Sequence, residues 1–391
     1  MRKIIITVFL LSILLGCKKI SQQETLDVNS SSVSSSSSNR ISTPSILQWQ
    51  KCLGTPADEY GWGVAKAGDG GYFVTGTIST NNDGYLVKLD ANHNVVRTVT
   101  FGGSGTDNVY GIVSTDDGGC LIAGRTTSPE IPGVADAHSI LLAKFDVNGY
   151  QEWIKAIGRS GSQALAIIKT SDNNFALTGY SAEKLPFIKI DPQGNVLQEA
   201  YYTYSPATAA NFGNAITEAA DGYIISGWTH VAGTTAEDGL LVVKVLNDGT
   251  TTGTRFYTGI SAHGYGITSN ATKTEFAITG INGNLFVLKI DGQINKIKDN
   301  TYGSGEGRSI VTTGDGFLIA GGVSGDLMLL RIDNNLNKIS SNTFGGGRDE
   351  VGRCIIADTD GYAIAGTTNS NNGDVSGNHG GNDMWVVKVK Y

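Results

Sequence analysis

The chain has little of what marks helical or nucleic-acid-binding proteins. In its 391 residues the apolar residues do not recur with the 3.6-residue period of an amphipathic helix. The formal net charge is −7, and a basic stripe is missing, which argues against a nucleic-acid partner. These absences point away from helix bundles and from nucleic-acid-binding domains.

Cysteine is scarce, with 4 residues. Cys17 belongs to an N-terminal segment described below, which leaves Cys52, Cys120 and Cys354. An odd number in an exported protein leaves at least one free thiol. Cys52 and Cys354 fall on the outermost and innermost strands of one expected sheet, too far apart to bridge. We expect all three to be small buried hydrophobic residues.

Motifs of catalysis and metal binding are also missing. The five histidines lack the spacing of metal ligands, and no G-x-S-x-G motif occurs with a placed acid and histidine. The sequence therefore predicts no catalytic residue, no metal ligand and no cofactor. A paired-carboxylate glycosidase stays open as an alternative, because its two acids meet only in space. Its first candidates are Asp58, Asp107 and Asp349.

Glycine is abundant, with 53 residues, and it is arranged in a repeat. Short apolar runs meet at hairpin signals of the Asp-Gly type, such as Asp360-Gly361. The second run of each copy ends in a glycine: Gly76, Gly124, Gly179, Gly227, Gly280, Gly321 and Gly366. The third run ends in a cation: Lys88, Lys144, Lys189, Lys244, Lys289, Arg331 and Lys388. The two series alternate, so the chain contains seven copies.

The two ends of the repeat region complement each other. A fourth run follows most cations but is missing after copy seven, whereas an isolated fourth run, Leu47–Gly54, precedes copy one. Trp49 and Gly54 have the same spacing as Trp153 and Gly158. The N-terminal strand is therefore predicted to complete the C-terminal sheet, which is the closure of a β-propeller. With about 50 residues per copy, residues 45–391 are predicted to form an all-β, seven-bladed β-propeller of four-stranded blades.

The first 44 residues lie outside the repeat. Residues 1–16 have a charged start and an apolar stretch too short to span a bilayer as a mature helix. Leu14-Leu15-Gly16-Cys17 resembles the lipobox of bacterial lipoproteins, which implies cleavage before Cys17 and its lipidation; an ordinary signal peptide is the alternative. Lys18 follows, and by resemblance to lipoproteins of diderm bacteria this favours the outer membrane. Residues 17–44 are rich in serine and are predicted to form a flexible tether.

The third run of each copy is almost entirely apolar, which predicts burial on both faces of the strand. The cation that ends it is followed two residues later by an aspartate in five copies: Asp90, Asp146, Asp191, Asp291 and Asp333. Positions i and i+2 share one face of a strand. We therefore expect a local ion pair between each cation and its aspartate, with a structural role.

Acidic candidates for binding lie in the loops that precede the first strands. These loops carry Asp58, Asp107, Glu306 and Asp349, which we consider as a ring of acids at the mouth of the central channel. Such acids bind a cation through hard oxygens or, alternatively, accept hydrogen bonds from loop N–H groups. The stretch Asn369–Asp374 is also rich in side-chain oxygen but lacks the carboxylate spacing of a calcium loop.

Aromatic candidates lie in the same loops and at the adjoining strand ends. Loops between second and third strands vary in length, and variable loops on a rigid scaffold often carry binding residues. The candidates are Tyr60, Trp62, Trp228 and His230. These side chains suit stacking on a sugar ring or packing on a protein partner, and packing between blades is the alternative.

The full repeat resembles tandem repeats of exported, lipid-anchored β-propeller proteins of Bacteroidota-type bacteria. The pattern stands here at Phe101–Gly124, Gly345–Thr368 and Asp383–Lys388, and the resemblance covers residues 45–391. Copies three to six depart from it, most clearly where Asn173-Asn174 replaces glycines. The resemblance implies a β-propeller, and most members have no assigned activity.

The sequence therefore predicts a monomeric propeller held by a lipid at the outer membrane, on its periplasmic or cell-surface face. Its predicted function is to bind a protein or glycan partner as a binding or scaffold module. The alternative is a polysaccharide-active enzyme that uses the carboxylates at the channel mouth.

Overall fold

The structure is a computed structural model and describes residues 46–135, 137–204, 209–231, 239–257 and 262–391. The predicted signal peptide, Cys17 and the tether lie outside the described residues. Within these ranges the regular structure consists of β-strands, and no helix is found. The prediction of an all-β fold is confirmed.

The strands form seven sheets of four. The N-terminal strand is β1 (Ile46–Leu53). Blades one and two contain β2 (Glu59–Lys66), β3 (Tyr72–Ile78), β4 (Asp83–Leu89), β5 (Val95–Phe101), β6 (Asp107–Ser114), β7 (Cys120–Thr126), β8 (Ser139–Phe145) and β9 (Gln151–Ile157). Blades three and four contain β10 (Ser162–Lys169), β11 (Phe175–Ser181), β12 (Leu185–Ile190), β13 (Val196–Tyr202), β14 (Ala209–Ala219), β15 (Gly222–Val231), β16 (Gly239–Leu246) and β17 (Thr251–Tyr257).

The remaining blades follow the same order. Blade five contains β18 (His263–Ser269), β19 (Glu275–Ile281), β20 (Leu285–Asp291) and β21 (Lys296–Thr301). Blade six contains β22 (Glu306–Thr312), β23 (Gly316–Val323), β24 (Asp326–Asp333) and β25 (Lys338–Phe344). Blade seven contains β26 (Glu350–Asp358), β27 (Gly361–Thr368) and β28 (Asp383–Lys390), and β1 is its fourth strand.

The blades close into a ring. In blade seven, β1 pairs antiparallel with β28, so that Trp49 lies opposite Lys388 and Leu53 lies opposite Met384. The first strands contact one another in a closed cycle, and β2 of blade one contacts both β6 of blade two and β26 of blade seven. Closure gives the C-terminal strand β28 a partner on both sides and makes β1 the outer strand of blade seven, so that this blade has four strands like the others. The predicted seven-bladed β-propeller, with its last blade completed by the N-terminal strand, is confirmed.

The hydrophobic core is divided among the interfaces between blades. Between blades seven and one, Val74 and Val87 pack with Ala365 and Val386. The third strands β4 and β8 are buried along their whole length, because each lies between two neighbouring blades. Each fully buried valine, leucine or isoleucine stabilises the fold by about 1.5–3 kcal/mol. The apolar third runs are thus explained by burial on both faces, as predicted.

The cation of each third strand has a different partner from the one expected. Lys88 Nζ lies 2.8 Å from Asp69 in the hairpin between β2 and β3, and Lys144 lies 2.7 Å from the equivalent Asp117. Asp90 instead accepts hydrogen bonds from the backbone N–H groups of Asn92 and Asn94 in its own turn. The predicted ion pair with the aspartate two residues later is therefore wrong. The hairpin and the end of the third strand lie at the same edge of the blade, which brings their charges together.

Candidate functional site

Two kinds of loop meet on one face of the propeller, which we call the loop face. On blade seven the loop before β26 binds the loop between β27 and β28. Gly347 N–H donates to Asn372 Oδ1 at 2.7 Å, and Asp349 N–H donates to Asn369 Oδ1 at 2.9 Å. The hairpins and the turns between third and fourth strands lie on the opposite face, which we call the turn face.

The four acids considered as a ring occupy different positions. Asp107 is fully buried and accepts hydrogen bonds from Gly103 N–H at 2.8 Å and the Ser128 hydroxyl at 2.6 Å. Asp58 is half-buried and accepts a hydrogen bond from Asn382 N–H at 2.7 Å. Asp107 therefore caps its own loop, and Asp58 is tied to the loop before β28.

The other two acids differ again. Asp349 is exposed on the loop before β26, and its backbone N–H binds Asn369. Glu306 lies inside the first strand of blade six, and its Oε1 is 2.6 Å from Arg308 Nε. The structure therefore brings none of these four carboxylates into a common ring.

Carboxylates do meet in pairs, and of the six acids involved the sequence interpretation named only Asp107 as a candidate. The pairs are Asp83 with Asp107, Asp326 with Glu350, and Asp383 with Glu59. In each pair the first acid begins a third strand and the second lies at the first strand of the next blade. A methyl group on Gly54 would lie 2.5 Å from Glu59 Oε2 and 2.6 Å from Asp383 Oδ1. Both carboxylates therefore lie so close to Gly54 that no side chain fits at this position of the loop.

The internal repeat contains a signal for these pairs. The positions equivalent to Asp83 hold Asp83, Ser139, Lys184, Gly239, Asn284, Asp326 and Asp383. The facing positions of the following blades hold Asp107, Ser162, Asn211, Ala262, Gly305, Glu350 and Glu59. An acidic residue at a third-strand position is always accompanied by an acidic residue at the facing first-strand position, and neither occurs without the other. The coupling appears when the third strands are aligned by their cations and the first strands by their bulges.

The pairing perturbs the acids. Burial, and next the charge of Asp107, raise the pKa of Asp83 to about 6. Burial raises the pKa of Glu59, and burial followed by the charge of Glu350 raises that of Asp326. A carboxyl group that is removed from water and placed beside a like charge holds its proton more tightly.

The aromatic candidates lie in two separate places. Trp228 is stacked between Phe212, with ring centroids 4.6 Å apart, and His263, at 4.2 Å. Both faces of its indole are therefore covered by protein rings. His230 is exposed, and its ring lies 6.1 Å from that of Trp228.

The second pair of aromatic candidates belongs to blade one. Tyr60 is partly exposed at the loop face, and Asn382 Nδ2 lies 3.5 Å from its hydroxyl. Trp62 is half-buried, with the guanidinium of Arg353 4.1 Å from its ring centroid and the ring of Tyr110 at 5.4 Å. Within the described ranges no ring contact joins this pair to Trp228 and His230.

Trp62 belongs to a ring of residues that line the central channel. The first strand of every blade contains a β-bulge at the same place. The extra residues at these bulges are Trp62, Tyr110, Leu165, Asn214, Tyr265, Arg308 and Arg353. All seven are half-buried, and neighbours touch across blades, as Trp62 touches Arg353. A bulge re-aims its side chain, and here it turns one residue per blade toward the channel; we call this set the bulge ring.

Blade seven carries an open depression of about 550 Å³ on the loop face, which we call the blade-seven pocket. Arg348 lines it from one loop and Asn369, Asn371 and Asn372 line it from the other. Each amide oxygen accepts a backbone N–H, such as Gly377 N–H on Asn371 at 3.0 Å. This fixes the orientation of each amide, because only the oxygen accepts. In the described part of the chain, the three NH2 groups have no acceptor.

A histidine completes the wall of this pocket. His379 Nδ1 lies 2.7 Å from Oδ2 of Asp383, and Asp383 is fully buried. The carboxylate fixes the orientation of the imidazole, as carboxylates do for functional histidines. Sequence reasoning noted Asn369–Asp374 only as a stretch rich in side-chain oxygen and did not group it with Arg348 and His379. The available signal was the unusual length of the loop between β27 and β28.

The described residues contain no group of three or more His, Cys, Asp or Glu side chains placed to hold a metal ion. They also contain no helix long and apolar enough to cross a membrane. Comparison of the chain with protein-family models and with curated proteins gives no match. By its fold the chain is a seven-bladed β-propeller with a polar pocket on its loop face.

Proposed function

We propose that the protein is a lipid-anchored binding module at the outer membrane, monomeric, whose loop face binds a glycan. The lipobox-like segment ending at Cys17 and the serine-rich tether at residues 17–44 support the anchor and its stand-off from the membrane. The rigid closed ring of blades supports a binding role, because it holds variable loops in fixed positions.

The observation that carries this proposal is the set of hydrogen-bond donors in the blade-seven pocket. The loop backbone uses the amide oxygens of Asn369, Asn371 and Asn372, which leaves their NH2 groups for a ligand. Arg348 is exposed beside them. Such a donor-rich, concave surface matches the hydroxyl and carboxylate oxygens of sugars. A flat protein surface with an apolar centre fits it less well.

The test is to measure affinity for a panel of neutral and acidic oligosaccharides with the full-length protein. Asn372→Asp keeps the oxygen that accepts Gly347 N–H and removes the NH2 donor. Arg348→Ala removes an exposed cation with no side-chain hydrogen bond in the described residues. A lost hydrogen bond to a charged group costs about 1.5–3 kcal/mol, so each variant is expected to bind about tenfold more weakly or worse.

The matched control is Asn148→Asp, which makes the same change in charge on the turn face, where Asn148 is exposed. Its affinity should equal that of the wild type. Unchanged binding in Asn372→Asp and Arg348→Ala would contradict the assignment to this pocket. If no oligosaccharide binds, and a cross-linked membrane protein is lost in Arg348→Ala, the partner is a protein. Turnover of a bound oligosaccharide would favour the enzymatic alternative.

A further inference from the structure

The bulge ring carries charge that the described residues do not balance. Arg308 of blade six and Arg353 of blade seven occupy equivalent positions on neighbouring first strands. Arg308 has an acidic partner, since its Nε lies 2.6 Å from Glu306 Oε1. For Arg353 the described residues provide no ion pair. Two guanidinium groups thus share one carboxylate in the channel of a protein whose net charge is −7.

Arg353 is held in place without its hydrogen bonds being satisfied. Its Nε atom is buried and has no hydrogen-bond partner among the described residues. Its guanidinium lies over Trp62, 4.1 Å from the ring centroid. Burial, and next the positive charge of Arg308, lower the pKa of Arg353 to about 10. A charged group that is partly removed from water without a counter-charge is costly, so the guanidinium as a whole favours an anion from outside the chain.

The chemistry of that acceptor follows from the geometry of arginine. A guanidinium is planar and presents its donors as a fork that matches the two oxygens of a carboxylate. The neighbouring bulge residues are aromatic: Trp62 and Tyr110 lie on one side of Arg353, and Tyr265 lies 4.2 Å from the guanidinium of Arg308. An inorganic anion would use the charge alone, whereas a small organic acid with a ring would also use these apolar surfaces.

We propose that the central channel binds the carboxylate of a small organic acid, such as a uronate sugar, between Arg353 and Arg308. This site is distinct from the blade-seven pocket, and either site can exist without the other. Binding neutralises the unmatched charge and keeps the stack on Trp62. The bulge ring then makes the channel selective for acidic ligands, although the protein as a whole carries a net negative charge.

The experiment titrates full-length protein with glucuronate, with glucose and with inorganic sulfate, using intrinsic tryptophan fluorescence and calorimetry. Glucuronate is expected to bind at least tenfold more tightly than glucose and to change the fluorescence of Trp62. The change should be absent in Trp62→Phe. Arg353→Gln should bind glucuronate at least tenfold more weakly than the wild type. Arg353→Lys keeps the charge but not the planar fork of donors, so its affinity should lie between those of the wild type and Arg353→Gln.

The matched control is Arg97→Gln, because the Arg97 guanidinium also lies over an aromatic ring, 3.5 Å from the centroid of Tyr150, but on the outer strand β5. Its affinity for glucuronate should be unchanged. Equal binding of glucose and glucuronate, or binding of sulfate alone, would overturn the proposal. So would full binding by Arg353→Gln. Asn372→Asp should not affect glucuronate in the channel, so failure here is separable from failure at the blade-seven pocket.

Discussion

Asp83 and Asp107 place two carboxyl groups in one buried position between blades one and two. One oxygen of each, Oδ1, is buried without a hydrogen-bond partner in the described residues. The pKa of Asp83 is raised from its ordinary 3.8 to about 6, by burial and then by Asp107. The folded state therefore binds this proton more tightly than the unfolded chain does. The contribution of Asp83 to the free energy of unfolding is therefore fully present below about pH 4 and is lost as the pH rises through about 6.

Asp83→Asn is expected to raise the free energy of unfolding at pH 7.5. A shift of one pKa unit corresponds to about 1.4 kcal/mol, so the gain should be about 1–3 kcal/mol and should vanish near pH 4. Urea unfolding at the two pH values measures it. Asp90→Asn is the control, and it should change the free energy of unfolding at pH 7.5 in the opposite direction, because backbone hydrogen bonds lower the pKa of Asp90. A loss of stability in Asp83→Asn at pH 7.5 would contradict the account.

At the scale of the strand, the glycine that recurs in the second strand of all seven blades has one physical cause. Each faces the bulge of the first strand in its own blade. A Cβ on Gly76 would lie 2.3 Å from the carbonyl oxygen of Tyr60, and one on Gly366 would lie 1.8 Å from that of Val351. The bulge pushes a backbone carbonyl into the space that a side chain would need, so glycine and bulge recur together.

Gly366→Ala should therefore destabilise the protein by about 3 kcal/mol, because the group it meets is backbone and cannot rotate away. The control is Gly314→Ala, since nothing lies within 4 Å of a Cβ at Gly314, and surface changes of this kind stay within about 0.5 kcal/mol. Chemical unfolding of both variants measures the difference. Equal stability of the two variants would show that the close approach at the bulge is not maintained in solution.

Strand order was predictable from the sequence, whereas the residues that line the channel were not. Alternating apolar runs, Asp-Gly hairpins and the two series of seven residues determine the strands and their number. The bulge ring depends on a one-residue shift in register, which no pattern of apolar residues reports. The bulge residue is flanked by small residues in most copies, as in Gly61-Trp62-Gly63 and Gly264-Tyr265-Gly266, and this is its only trace in the sequence.

The blade-seven pocket was missed for a related reason. Its NH2 donors are left for a ligand because the amide oxygens accept backbone N–H groups, from the loop before β26 for Asn369 and Asn372 and from the same loop for Asn371. These contacts exist only after folding. The third-strand cations show the same limit. The acid nearest in sequence, such as Asp90, accepts hydrogen bonds from its own turn. The cation pairs instead with an aspartate in the hairpin between the first and second strands, such as Asp69. Local spacing predicts local pairs and fails where the sheet brings closer partners.

At the scale of the whole molecule, closure joins residues far apart in sequence. Gln50 on β1 accepts a hydrogen bond from Nε1 of Trp385 on β28 at 2.7 Å, and Trp385 is fully buried. Removing the acceptor leaves a buried donor unsatisfied, which costs about 1–3 kcal/mol.

Gln50→Ala is therefore expected to lower the free energy of unfolding by that amount. Gln48→Ala on the same strand is the control, because its side chain is exposed and reaches only Ile46 O at 3.3 Å. Thermal unfolding at one protein concentration compares the two variants with the wild type. If the two variants are equally stable, β1 is not docked on β28 in solution, and the ring is open.

The measurement that tests the functional account most directly is hydrogen exchange on the full-length protein, with and without the tightest-binding oligosaccharide of the panel. The account predicts slower exchange in residues 346–350 and 369–380, which form the blade-seven pocket, and no change on the turn face. Protection confined to the turn face, or no change anywhere at a saturating concentration, would contradict a glycan-binding loop face.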